Sequence, residues 1–355
     1  MSDDIAYMHA NKNVRGRGSG ALTKSRFDTA QTLLVQQIDQ QVPTTIFKDT
    51  SKTILTINDS PDVEMATTLN PYRGCEHGCS YCYARPTHEY LGHSAGLDFE
   101  TKIYAKFEAP ALLRAELEKK SWQPKAIAFS GITDCYQPIE RKLEITRRCL
   151  EVLVEFRNPV VIITKSHLVT RDIDLLSSLA RFNAAKVVIS MTTLDRDLSR
   201  RMEPRASQPD HRLQAIRLLT QAGIPTTINM APVIPGLNDH EIAQLLQQAS
   251  DAGATEAHYV LLRLPYGVKE IFPDWLEKNF PSRKNKILNQ LCVSRAGQLY
   301  QADFETRMTG TGIYAEQIEK IFSVYRSKFG LNQRSTHLST AHFQRPLAPL
   351  PLFDV

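Results

Sequence analysis

NPYRGCEHGCSYCYARP, residues 70–86, sets Cys75, Cys79 and Cys82 in the spacing C-x3-C-x2-C. Three thiols within eight residues can wrap one face of a soft metal centre, and soft thiolates select zinc or iron–sulfur. A closed zinc site takes four protein ligands, commonly as two separated pairs. Three crowded cysteines suit that arrangement poorly, and suit a four-iron cluster whose fourth iron stays open to an exogenous ligand. Gly74 and Gly78 relieve crowding where the loop must bend about an inorganic core, and Tyr81 sets an aromatic ring beside the third ligand. His77 would be the fourth ligand of a zinc site, so the spacing alone leaves both readings open.

Outward from the cysteines, short apolar and β-branched runs alternate with amphipathic stretches from about residue 66 to residue 265. The runs are AIAFSG (126–131), VVIITKS (160–166), AKVVISMTT (185–193), TTINMAPVI (226–234) and HYVLLRLP (258–265). Between them, residues 139–156 bring Leu143, Cys149, Leu150 and Leu153 to helical spacing, and 213–222 and 241–252 repeat the pattern. Gly223-Ile224-Pro225 stops one helix and starts the next strand. With the segment that leads into Cys75 this makes about six β/α units, which predicts an α/β fold. The expected form is a parallel sheet partly closed into a TIM-like (β/α)6 barrel, with the site on loops at the strands' C-terminal ends. Periodicity does not separate this from a doubly wound open sheet.

The flanks read differently. Residues 1–65 form a polar, partly irregular and basic extension with one or two short strands, and 66–265 form the barrel. Residues 266–330 are helical, with helices over 275–280, 284–291 and 315–329, and 331–355 are a Pro-rich tail. The formal charge is +5. Lys12, Arg15, Arg17, Lys24 and Arg26 lie in an acid-free run, as do Lys320, Arg326, Lys328, Arg334 and Arg345, so the remainder carries −5 by subtraction. These flanks are candidates for contact with nucleic acid phosphates, with solvated charge the plainer alternative. With 42% hydrophobic and 23% charged residues over 355 positions, whole-chain disorder, collagen and coiled coil are excluded. No stretch approaches the roughly 18 apolar residues that cross a bilayer, and the start MSDDIAYMHANKNVRGRG has no apolar signal core. The cytoplasm is the expected location and no membrane partner is expected. Six cysteines are too few for a disulfide scaffold, and the sequence leaves the oligomeric state open.

A C-x3-C-x2-C loop after the first strand of a partial (β/α)6 barrel resembles the radical SAM superfamily. The resemblance implies a [4Fe-4S] cluster on Cys75, Cys79 and Cys82, with S-adenosylmethionine (SAM) bound to the open iron. It also implies an external one-electron reductant, a flavodoxin or ferredoxin, and release of a 5′-deoxyadenosyl radical that abstracts a substrate hydrogen. Ser130 and Gly131 match the end of strand 2, where such enzymes expose backbone to the methionine amine. Lys165 and Ser190, at the ends of strands 3 and 4, match contacts to the cofactor's carboxylate and ribose. Residues 231–239, with Val233, resemble the strand 5 motif that packs near the adenine. Within the superfamily, Cys79-Ser80-Tyr81-Cys82-Tyr83 and the TKS segment look most like the spore photoproduct lyase-like, DNA repair photolyase-related group. That likeness implies a cysteine hydrogen donor, for which Cys135 is the nearest thiol though a few residues late, and a part for Tyr81 and Tyr83.

The expected function is radical SAM catalysis on an unidentified substrate. The alternatives are repair of a pyrimidine lesion in DNA, and a non-enzymatic zinc or iron–sulfur protein that binds nucleic acid. Thr133, Asp134, Gln137 and Glu140 are candidates for ligand binding or for helix capping. Arg200, Arg201 and Glu203-Pro204-Arg205 are candidates for a cofactor-facing loop or a solvated helix start. Cys149 is expected in the core, Cys292 is expected to be structural, and His88 is expected to be a hydrogen-bonded histidine near the pocket.

Overall fold

The computed structural model describes residues 16–20, 23, 26, 42–62, 66–332 and 337–346. Ten strands run in chain order: β1 (Thr45–Lys48), β2 (Leu55–Ile57), β3 (Thr67–Leu69), β4 (Tyr72–Arg73), β5 (Lys102–Ala105), β6 (Ile127–Phe129), β7 (Val160–Thr164), β8 (Ala185–Ser190), β9 (Thr226–Val233) and β10 (Glu256–Leu261). The main sheet has the order β10-β9-β8-β7-β6-β3-β2. Every neighbouring pair from β3 to β10 is parallel, and β2 adds an antiparallel edge. The register runs straight across, Leu69 to Phe129, Phe129 to Ile162, Ile162 to Val187 and Val187 to Thr226. Six parallel strands in sequence order, open between β10 and β2, make the partial barrel that the alternation predicts.

The strands read as apolar runs because both faces are covered. Ile127, Ala128 and Phe129 are all buried, as are Val160, Val161 and Ile162. Helices Ile145–Phe156, Ile173–Ala180, Pro209–Gln221 and Ile242–Asp251 fill the crossovers. Ile145–Phe156 buries Cys149, Leu150, Leu153 and Phe156, so Cys149 is the core residue expected. The stretch 139–156 is two helices, Glu140–Leu143 and Ile145–Phe156, with Glu144 between them at φ 51°. Glu140 explains the break: its carboxylate accepts from the Thr146 and Arg147 amides and caps the second helix anew.

Sequence periodicity does not pick out helix Ala109–Glu118 or the strands β4 and β5, which lie between β3 and β6 and pair with β1 in a small second sheet. Beyond β10, helices Val268–Asn279 and Lys284–Val293 bury Phe272, Trp275 and Leu291 in a second core that also holds Cys79 and Tyr81. Helix Ile313–Lys328 returns to the main core through Ile318 and Phe322, whose ring lies 4.8 Å from that of Tyr259. Among the described residues no helix is long and apolar enough to cross a membrane. The Pro-rich end from residue 347, with Lys12, Arg15, Lys24 and Arg334 of the basic runs, lies outside the described residues.

Asn238 fixes the loops after β8 and β9 against each other. Its amide oxygen accepts from the Ile234 N–H at 2.6 Å, and its nitrogen donates to the carbonyls of Thr192 (2.7 Å) and Pro232 (3.0 Å). Asn238→Ala orphans three buried backbone groups, and urea denaturation is expected to show a loss of about 2–3 kcal/mol. An unchanged midpoint would mean that water replaces the side chain.

Candidate active site

Parallel strands end on one side, and the site residues gather there. The cysteine loop follows β3, Ser130 follows β6, Lys165 follows β7, Ser190 and Val233 close β8 and β9, and Arg263 follows β10. Cys75 and Cys79 are buried and Cys82 is partly so. The loop is irregular, so its backbone polar groups need partners from elsewhere. Gln137 supplies two: its side-chain oxygen accepts from the Glu76 N–H (2.9 Å) and its nitrogen donates to the Gly74 carbonyl (3.1 Å). The Cys75 N–H donates to Phe99 O at 2.8 Å, and the Ser80 N–H to Met202 O at 3.0 Å. Gly78 takes φ 67°, and a Cβ there would meet Glu100 Oε2 at 2.6 Å.

Arg85 and Glu100, both without exposed surface, form the inner support. The Arg85 guanidinium donates to the carbonyls of Cys79 (2.9 Å), Ala95 (3.2 Å) and Gly96 (2.9 Å), and to Glu100 Oε1 at 2.5 Å. Glu100 also accepts from the amides of Gly18 (3.0 Å) and Ser19 (2.9 Å), while Arg17 donates to Glu100 O and Val42 O, each at 2.8 Å. Gly18 lies so close that a Cβ would stand 1.6 Å from Gly78 O. The described part of the Gly/Arg stretch is therefore a strap on the cysteine loop. Arg26, the other described cation of that run, pairs with Glu89 at 3.0 Å.

A second network lies beneath the cysteines. The Tyr81 hydroxyl bonds Thr192 Oγ1 (3.1 Å) and Glu203, and Glu203 pairs with Arg212, which is 1% exposed. Arg212 also donates to Ser190 O at 3.0 Å and to Ser207 O at 2.7 Å. Burial alone would raise the Glu203 pKa, but Arg212 and Lys165 outweigh it and hold the carboxyl at about 2. Asp134 is held at about 2 in the same way: burial opposes, and His77, the Lys165 amide and the Thr164 hydroxyl prevail. Lys165 Nζ stands 5.9 Å from the Tyr81 ring centroid and makes no hydrogen bond or ion pair among the described residues. Burial raises the pKa of Cys79 and of Cys82, and the Lys165 charge is among the influences that oppose it at both.

The remaining candidates divide. Ser130 takes φ 70°, an uncommon backbone for a residue with a Cβ, and its Oγ accepts from the Cys135 amide at 2.8 Å. The Gly131 carbonyl accepts from the Tyr83 hydroxyl at 2.8 Å, and Tyr83 is half exposed. Val233 is fully buried, with its carbonyl taken by the Leu262 N–H. Cys135, the thiol nearest the expected hydrogen-donor position, is 0% exposed, in the main core with Cys149 and Tyr72, and burial pushes its thiol pKa well up. Thr133, Asp134, Gln137 and Glu140 turn inward as braces. Thr133 holds Tyr72 O at 2.8 Å, and Glu140 binds Tyr72 and Arg171. Arg205 pairs with Glu76 at 3.2 Å, and Arg201 with Asp197 at 2.6 Å. His88 bonds Lys102 O through Nε2 at 3.0 Å, and burial, then His93, lower its pKa to about 4. Arg85, Glu100 and Arg212 gave no signal in the sequence, since their partners lie far along the chain or in backbone.

The donor set suits a cluster. Burial first, then Asp134 and the other two thiols, raise the Cys75 pKa, a shift that a bound cation would reverse. His77, the fourth ligand of a zinc site, has its Nδ1 against Asp134 at 3.3 Å. Among the described residues no three His, Cys, Asp or Glu side chains converge on one ion. A cluster asks for less, because each thiolate takes a different iron.

The Radical SAM superfamily profile matches residues 69–249. An uncharacterized protein of Mycobacterium tuberculosis is 33% identical over 261 residues, covering 73% of this chain and 74% of its own. A Radical SAM Nalpha-GlyT isomerase of Pseudomonas phage M6 is 27% identical over 65% of this chain, a match that spans 46% of the phage protein. Among solved structures, a spore photoproduct lyase complexed with dinucleoside spore photoproduct aligns with TM-score 0.54 and 16% identity, over 80% of this chain and 78% of that one. The six-strand parallel sheet is thus the radical SAM fold in its spore photoproduct lyase-like form. The chain belongs to the radical SAM superfamily of enzymes.

Proposed function

We propose that Cys75, Cys79 and Cys82 hold a [4Fe-4S] cluster and that Lys165 receives the carboxylate of SAM beside it. One observation carries the reading. Three thiols of one irregular loop, two buried and one partly so, share the C-terminal end of six parallel strands with an ammonium group that makes no ion pair among the described residues. When bound, the cluster and SAM supply a one-electron cleavage that yields a 5′-deoxyadenosyl radical for hydrogen abstraction. The chain's own residues hold and orient. Tyr81 keeps the Lys165 ammonium over its ring while its hydroxyl is anchored on Thr192 and Glu203. Ser130 and Gly131, Ser190 and Val233 take the other cofactor contacts from the ends of β6, β8 and β9. The electron comes from an external reductant of flavodoxin or ferredoxin type.

The substrate hydrogen is taken from a C–H bond, and the product radical is not quenched by Cys135. In a lesion-repair reading that thiol returns the hydrogen; its burial among Tyr72, Tyr136 and Cys149 does not suit the part.

Anaerobic reconstitution is expected to load about four irons per chain, and reduction with SAM to release 5′-deoxyadenosine. Cys75→Ala, Cys79→Ala and Cys82→Ala should each abolish the product. A colourless chain holding one tight zinc would overturn the reading. Lys165→Ala should keep the iron and weaken SAM binding about tenfold or more, in line with a lost charged hydrogen bond of roughly 1.5–3 kcal/mol; an unchanged Kd would remove Lys165 from the site. Cys135→Ala should lower the thermal midpoint while 5′-deoxyadenosine still forms, and loss of product with an intact midpoint would restore the hydrogen-donor role.

A further inference from the structure

The mouth of the barrel holds a second cation besides Lys165. Arg263 follows β10, at the same end of the sheet as the cysteine loop. Its guanidinium lies 5.6 Å from the ring centroid of Tyr83, the residue after Cys82, and that ring is half exposed and anchored by its hydroxyl on Gly131 O. Among the described residues Nη1 has one acceptor, Met308 Sδ at 3.3 Å, and Nε is buried with no partner. A thioether is a weak acceptor, whereas a guanidinium is built for the paired oxygens of a carboxylate or phosphate.

The neighbouring groups do not neutralise it. Asp62 is within electrostatic reach but is bound by Arg307 and by the Glu305 amide at 2.6 Å. Arg295 adds a second guanidinium with no exposed surface, and its acceptors are the carbonyls of Leu261, Leu262 and Arg307 at 2.9–3.1 Å. Burial above all, then the proximity of Arg263, lowers the Arg295 pKa to about 10.

We propose that Arg263, steadied by Tyr83, is the substrate-recognition residue and that the substrate presents anionic oxygens to it, as a phosphate or a carboxylate. The inference rests on the cofactor reading, which puts the reactive centre at this end of the barrel. Lys165 and Arg263 then divide the work, one cation for the cofactor and one for the substrate.

The test is calorimetric titration of the reconstituted chain, saturated with SAM, with phenyl phosphate, with benzoate and with phenol as the neutral control. One of the two anions is expected to bind at least tenfold tighter than phenol, and which one does so distinguishes phosphate from carboxylate. Arg263→Gln should remove that preference. Met308→Glu, which gives Arg263 an internal carboxylate and leaves the guanidinium in place, should remove it too, and serves if the Gln variant fails to fold. Anion binding no tighter than phenol, or equal in wild type and Met308→Glu, overturns the proposal. So does anion binding that occurs only without SAM, which would assign Arg263 to the cofactor. Iron content and 5′-deoxyadenosine yield of the wild-type chain, measured alongside, report separately on the cofactor reading.

Discussion

A loop without a hydrogen-bond ladder cannot hold three neighbouring thiols in place by itself, and the architecture around residues 74–82 answers that constraint. Regular strands satisfy their own backbone, while this loop borrows its partners: Gln137 from the segment after β6, Phe99 from before β5, Arg85 from the turn that follows the loop, and Met202 from beyond β8. Gln137 and Met202 come from the connections after other strands, so the barrel must be formed for the loop to be formed. An orphaned backbone group in the interior costs roughly 1–3 kcal/mol, which is why so many side chains are committed to one turn and a half of chain.

The two buried ion pairs fit the same logic. Arg85 with Glu100, and Arg212 with Glu203, carry charge into the interior, where desolvation offsets most of the attraction. Their value is positional. Arg85 ties the Cys79 carbonyl to the strap at Gly18 and Ser19 through Glu100, and Arg212 ties the Tyr81–Glu203 contact to the end of β8. With those four side chains satisfied by one another, Lys165 is left beside the cysteines with no ion pair among the described residues, and Arg263 as its counterpart at the rim.

Much of this was legible in the chain. Apolar runs such as VVIIT are visible because parallel strands are buried on both faces, and the cysteine spacing is visible because all three ligands sit in one loop. What periodicity and spacing miss is what acts across distance: Gln137 meets Gly74 and Glu76 over about sixty residues, and Glu100 meets Gly18 over more than eighty. Local reading also stops short at two places for a physical reason. The stretch RGRGSG looks like a basic arm by composition, yet at Gly18 the glycine is there because a side chain has no room against Gly78. Cys135 stands next in sequence to Asp134, which faces the cysteine loop, yet the left-handed turn at Ser130 and the tight loop after it put the two neighbours on opposite sides.

The central claim is that this loop presents three thiolates to a cluster whose fourth iron is left for an exogenous ligand. Mössbauer spectroscopy of the chain reconstituted with 57Fe, recorded with and without SAM, tests it most directly. The account predicts a four-iron spectrum in which one iron site shifts when SAM is added and the others keep their parameters. A spectrum that SAM leaves unchanged, or one of mononuclear iron, would contradict it.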